Sequence, residues 1–183
     1  MIKSNGDSLA GSQVAENIHE SHTVDPPLYF HIAKKSHKPA KILLVEDNPA
    51  DIDLLVEAFK ESSFTYHLRM ARDGVETLKY LRRQGQYSNA TSPDLIILDL
   101  NLPKKDGRAV LAELKQNTVL KRIPVIVLSM SQADEDILMS YELNANCFIN
   151  KPIDLNEFIK VARSIKDFWL NTVKLPPEWG TVQ

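Results

Sequence analysis

From Lys41 onward the chain alternates between unbroken apolar runs and segments with an apolar residue at every third or fourth position. KILLV (41–45), LIIL (95–98) and IPVIVLS (123–129) show no polar alternation, the pattern of strands covered on both faces of a parallel sheet. YHLRMA (66–71) and the short CFIN (147–150) complete five predicted strands. Asn48-Pro49 starts the first helix, asparagine as N-cap and proline in the first helical position. Ile52, Leu55, Val56 and Phe59 form its i, i+3, i+4, i+7 stripe. A second helix is expected from Asp73 to Gly85 with Val75, Leu78 and Leu81 inward, and a third from Gly107 to about Asn117. ADEDILMSYELNA (133–145) and the strongly amphipathic LNEFIKVARSIKDFWL (155–170) supply the last two. Five strands alternating with five helices predict an α/β fold, a doubly wound parallel five-stranded sheet with helices on both faces. They are too few for a closed eight-stranded barrel.

This pattern fills residues 40–170. Residues 1–39 are rich in Ser, His, Asn, Lys and Pro without a sustained apolar period, and read as a flexible N-terminal tail. Leu28-Tyr29-Phe30-His31-Ile32 is the exception, a short segment able to dock. His19 and His22 have the spacing of a helix-face metal pair, but no Cys or further acid at ligand spacing completes a site. Lys34, Lys35, Lys38 and Lys41 read as a solvated linker, and 171–183 as a C-terminal tail. The formal net charge of −2 over 183 residues supplies no global field for nucleic acid or membranes. Cys147 is the only cysteine, which excludes an intrachain disulfide and fits a reducing compartment. No signal-peptide core is present, and no apolar run approaches the ~18 residues of a membrane span. A cytoplasmic protein is expected.

Candidate chemistry gathers at the carboxyl ends of the predicted strands, where open α/β sheets bind ligands. The first strand ends in Glu46-Asp47, the third in Asp99, the fourth in Ser129 and the fifth in Lys151-Pro152. Each has an ordinary explanation: acids favour helix N-termini, Asp starts turns, Ser caps helices and Lys is a surface residue. Together on one rim, close carboxylates repel by about 4 kcal/mol per pair at an effective dielectric near 20. A bound cation removes that penalty, and oxygen ligands of this kind suit Mg2+ better than zinc.

On these residues, the chain from Lys41 to about Trp169 resembles the receiver domains of two-component response regulators. Glu46-Asp47, Asp99, Ser129, Phe148 and Lys151-Pro152 carry the match, with the 99–129 and 129–151 intervals of that family. EDNPADIDLL (46–55), LNLPKKDGR (100–108), FWLNTVKLPPEW (168–179) and the enlarged QYSNATSP (86–93) resemble stand-alone regulators paired with cyanobacterial phytochromes. The resemblance implies a flavodoxin-like strand order and a phosphoacceptor role for Asp99, attacking a phosphohistidine on a sensor histidine kinase. It implies Mg2+ held by Asp47, Asp99 and the backbone carbonyl of Asn101, with Glu46 acting through water. Lys151 would pair with the phosphoryl group, and the Lys151-Pro152 bond would be cis. Ser129 would swing its hydroxyl onto a phosphoryl oxygen, with Phe148 following inward. Met130 stands where the family usually has a small residue, so pocket access should be narrowed.

One neutral hydrogen bond contributes about 0.5–1.5 kcal/mol, whereas moving a population from 1:99 to 99:1 takes about 5.5 kcal/mol. The Ser129 hydroxyl therefore needs help from Lys151 and from a partner or dimer. About 17 residues after Lys166 cannot build an output domain, so a downstream protein is the expected target. Leu155, Phe158, Ile159, Ala162, Ile165, Phe168 and Trp169 make a stripe wider than one sheet face requires, which predicts a homodimer through the last helix. The alternative is that Trp169 and the LPPEW tail fold back on the same chain. A pseudo-receiver binding partners without phosphorylation normally lacks one of the key positions, and none is missing. A phosphoaspartate-forming hydrolase would carry an acid where Asn101 stands, and a nucleotide-binding domain would want glycines in VEDNP.

Overall fold

Each predicted strand is present in the structure, a computed structural model that describes residues 39–60 and 65–177. The expectations for His19, His22, residues 28–32, Lys34, Lys35, Lys38 and Trp179 lie outside the described residues. The strands are β1 (Ala40–Val45), β2 (Tyr66–Ala71), β3 (Leu95–Leu98), β4 (Val125–Ser129) and β5 (Cys147–Asn150). All pair in parallel, in the order β2-β1-β3-β4-β5. The helices are α1 (Pro49–Lys60), α2 (Gly74–Leu81), α3 (Gly107–Gln116), α4 (Asp134–Glu142) and α5 (Leu155–Lys166). No helix among the described residues is long and apolar enough to cross a membrane.

The unbroken apolar runs have a simple cause. Successive strand side chains point to opposite faces, and both faces are covered. Leu43, Val45, Ile96, Leu98, Val125 and Val127 bury against Leu78, Leu81, Val110, Leu111 and Leu114 of α2 and α3. Ile42, Leu44, Leu95, Ile97, Ile126 and Leu128 bury against Ile52, Leu55 and Phe59 of α1 and Phe158, Ala162 and Ile165 of α5. Central β3 is therefore buried along its whole length, and its end is a fixed point from which a functional group can be held.

Local signals set the helix boundaries. Asn48 Oδ1 accepts the Ala50 N–H at 2.9 Å, as an N-cap should. Asp154 caps α5 through the Glu157 N–H, and Asp73 caps α2 through the Glu76 N–H. The second helix stops at Leu81 rather than Gly85, because Arg83 turns into a left-handed conformation (φ 55°) and a 3₁₀ turn at Gly85–Tyr87 follows. Thr77 takes the inward position expected of Val75, its hydroxyl donating to the Asp73 carbonyl at 2.8 Å.

The last helix departs from the expectation of a surplus apolar stripe. Phe158, Ala162, Ile165 and Trp169 are buried in their own chain, and only Leu155 and Phe168 are left about half exposed. A π-helical segment, Asp167–Thr172, continues α5 past residue 170. Its wider turn accompanies Trp169 and Leu170 into the α1–α5 core, and Val173 and Leu175 pack behind them. The fold-back alternative accounts for Trp169.

Candidate functional site

The strand order reverses between β1 and β3, which are neighbours although β2 intervenes in sequence. A crevice at the carboxyl ends of these two strands is where an open α/β sheet accepts a ligand. Glu46 and Asp47 follow β1 there, and Asp99 follows β3. Each offers a carboxylate oxygen within 4.8 Å of the others; Glu46 and Asp99 are buried, Asp47 is exposed.

The Asp99 carboxylate is held on both oxygens. Oδ1 accepts the Asn101 N–H at 3.0 Å, Oδ2 accepts from Lys151 Nζ at 2.5 Å, and the Asp99 N–H donates to the Val45 carbonyl at 3.0 Å. Lys151 crosses the rim from the end of β5 and is itself buried. Its ammonium has three protons and three carboxylate partners: Asp99, Glu46 and, at 2.9 Å, Asp51. The Lys151 N–H donates to the Ser129 carbonyl at 2.8 Å, which ties the ends of β4 and β5 together.

One ammonium cannot neutralise this many acids. Burial pushes the Glu46 carboxyl up to about 7, assisted by the Asp99 charge and outweighing the hydrogen bond from Lys151. Burial opposes the charge on Lys151, but its bonds to Asp99 and Glu46 win and raise its pKa above the ordinary lysine value. The site therefore carries a permanent cation and an excess of negative charge. Oxygen-only donors, two buried and one open to solvent, fit a hard divalent cation.

The other predicted positions surround this centre. Ser129 is fully buried at the end of β4, and its Oγ accepts the Ser131 N–H at 3.4 Å. Met130 beside it is 57% exposed. Phe148 is half-buried against the α2–α3 side of the core, and its N–H donates to the Tyr141 hydroxyl at 3.3 Å. Asn101 is exposed, and Pro152 is half-buried after Lys151.

Two residues of the site were not singled out by sequence reasoning. Asp51 stands in the first turn of α1, where an acid ordinarily does no more than favour the helix N-terminus, yet it is the third partner of Lys151. Gly107 looked like a plain helix start. A Cβ there would lie 2.1 Å from the Asp99 carbonyl oxygen and 2.7 Å from the Leu100 Cα, so only glycine lets α3 begin this close to the end of β3. Its N–H donates to the Leu100 carbonyl at 2.8 Å.

Fold and acidic crevice together define a receiver. The sequence profile of the response regulator receiver domain matches residues 42–163, and the chain belongs to that family. It is 49% identical over 145 residues to response regulator Rcp1 of Synechocystis sp., covering 79% of this chain and 99% of the relative. It is 36% identical to a probable methanogenesis regulatory protein, FilR2, of Methanothrix harundinacea, covering 78% of this chain and 91% of the relative. The crystal structure of the Mn2+-bound form of Rcp1 superposes with a TM-score of 0.75 at 50% identity, over 76% of this chain and 100% of that one. That of the phosphorylated cyanobacterial phytochrome response regulator RcpA does so with 0.75 at 51% identity, over the same shares. The chain is thus a receiver-domain response regulator related to the phytochrome response regulators.

Proposed function

We propose that Asp99 accepts a phosphoryl group from a phosphohistidine of a sensor histidine kinase, and that the modified chain signals by binding another protein. The observation that carries this reading is the buried Asp99 carboxylate, oriented by the Asn101 N–H and paired with Lys151 inside an acidic crevice. A carboxylate is a weak nucleophile, but phosphoryl transfer depends mostly on positioning and electrostatics. One Asp99 oxygen forms the new P–O bond as the P–N bond to the imidazole breaks, and the imidazole keeps the electron pair. Lys151 turns its charge from the carboxylate to a phosphoryl oxygen, where a compact ammonium pairs well. Ser129 donates its hydroxyl to another phosphoryl oxygen, and Phe148 fills the space it leaves. A Mg2+ ion held by Asp47, Asp99 and the Asn101 carbonyl, with Glu46 behind it, would neutralise charge on the transferring group.

The phytochrome branch of the reading is supported by the 49% identity to Rcp1 and by the phosphorylated phytochrome response regulator among its structural relatives. A homodimer through α5 belongs to the same reading and rests on exposed Leu155 and Phe168. The decisive experiment is incubation with a small acyl phosphate and Mg2+, followed by intact-mass measurement. One phosphoryl adduct is expected in the wild type and none in Asp99→Asn. An adduct that survives in the variant overturns the assignment.

A further inference from the structure

We propose that Arg108 is a positioning residue for the Ser129 hydroxyl, acting through Asp136 and Ser131 to hold the β4–α4 loop in its resting geometry. The proposal rests on the phosphoryl-accepting reading above and adds a control on it. A continuous chain of contacts supports it. Ser129 Oγ accepts the Ser131 N–H at 3.4 Å. Ser131 Oγ in turn donates to Asp136 Oδ2 in the first turn of α4 and accepts the Ala133 N–H at 3.4 Å. Asp136 is gripped by both prongs of the Arg108 guanidinium, Nε to Oδ1 at 2.7 Å and Nη2 to Oδ2 at 2.5 Å. Arg108 is fixed at its base as well: its N–H and Nη1 bond the two oxygens of Asp106, the N-cap of α3, at 2.7 and 2.8 Å. The start of α3 is packed on the Asp99 and Leu100 backbone through Gly107. The loop leaving Asp99 and the loop leaving Ser129 are therefore tied by one charge-assisted network. Such bidentate pairs are strong and directional.

The tie has a consequence because Ser129 is fully buried. In this proposal the Ser129 hydroxyl moves away from the Ser131 amide as it swings toward a phosphoryl oxygen on Asp99, and residues 130 and 131 move with it. Ser131 cannot follow freely while Asp136 and Arg108 hold its side chain. The network thus opposes the phosphorylated geometry. Releasing it should let a donor be accepted more readily.

The test is the rate of phosphoryl loading from a small acyl phosphate at fixed Mg2+ in four proteins: wild type, Arg108→Ala, Ser131→Ala and the double variant. Each single variant is expected to load about fivefold faster, a usual size for removing one member of a coupled network. The double variant should gain nothing further, because residues acting in series are not additive. Arg108→Lys keeps the charge but not the fork and should behave as Arg108→Ala does. Ser131→Ala leaves the Arg108–Asp136 pair in place and tests the Ser131 link by itself, and Arg108→Lys tests the arginine if Arg108→Ala folds poorly. A pair that merely staples α3 to α4 would lower the melting temperature of the arginine variants and leave the loading rate of Ser131→Ala unchanged. That result, or additive gains in the double variant, overturns the positioning role alone. Failure of the wild type to load at all overturns the phosphoryl-accepting reading and this one together.

Discussion

Met130 and Asp136 lie within one turn of loop and helix from Ser129, and each makes a single side chain measurable. Met130 is 57% exposed beside the fully buried Ser129. Hydrolysis of an aspartyl phosphate needs a water in line with the leaving carboxylate, and poor placement of a reactant can cost on the order of 100-fold. Even partial obstruction by methionine should lengthen the phosphorylated state. Met130→Ala is expected to lose its phosphoryl group several-fold faster than wild type, about 1 kcal/mol in barrier. Decay after donor removal at constant Mg2+ measures this; equal or slower decay would show that Met130 does not gate the pocket. Asp136 offers a pH test. Its hydrogen bonds from Arg108 and then Ser131 hold the carboxyl below the ordinary value of 3.8. A depressed acid contributes stability that is present above its unfolded pKa and lost as pH falls through the folded one. The wild type should therefore be more stable than Asp136→Asn at pH 6, with the margin closing below about pH 4. A margin constant down to pH 2 in paired urea titrations would remove the ion-pair account.

At the scale of elements, the join between β3 and α3 is tight enough for a test to be written. An added methyl at Gly107 meets backbone on both sides, Asp99 carbonyl oxygen at 2.1 Å and Leu100 Cα at 2.7 Å. Backbone cannot swing aside as a flexible side chain can. Gly107→Ala should cost about 2 kcal/mol, in the range of other overpacked sites, and should slow phosphoryl loading because the strain falls on the Asp99 peptide. A denaturation midpoint equal to wild type would contradict this. Gly107 was legible only as a helix start, since nothing in LPKKDGRAV states how near the strand end will be. The helix cap Asn48, by contrast, was readable because a cap depends on two or three consecutive residues.

At the scale of the whole molecule, the prediction concerns assembly through α5. Its apolar stripe is mostly consumed by the core, with Phe158 3% exposed and Trp169 9%. Phe158→Asp would therefore bury a charge and is expected to unfold the domain rather than report on assembly. Phe168 is the informative position, 54% exposed beside a groove lined by Cys147, Ile149 and Val161. Wild type is expected to sediment as a dimer at tens of micromolar, and Phe168→Asp as a folded monomer. A monomeric wild type at that concentration ends the proposal of a dimer through this face.

The sequence by itself determined the five strands, the five helices and the parallel sheet, because unbroken apolar runs and 3.6-residue stripes are local consequences of burial. It also placed Glu46, Asp47, Asp99, Ser129 and Lys151 on one rim, since in a parallel sheet every strand ends on the same side. Tertiary structure alone decided three things. Lys151 reaches across to Asp51, a contact between residues 100 apart in sequence. Trp169 is buried in its own chain rather than left for a partner, on the same face as Phe158, Ala162 and Ile165 and against the core shared with α1. Arg108 finds Asp136 across 28 residues, linking the two loops that flank the crevice. Each depends on distance in space between elements, and a one-dimensional pattern of apolar and polar residues carries no information about that distance.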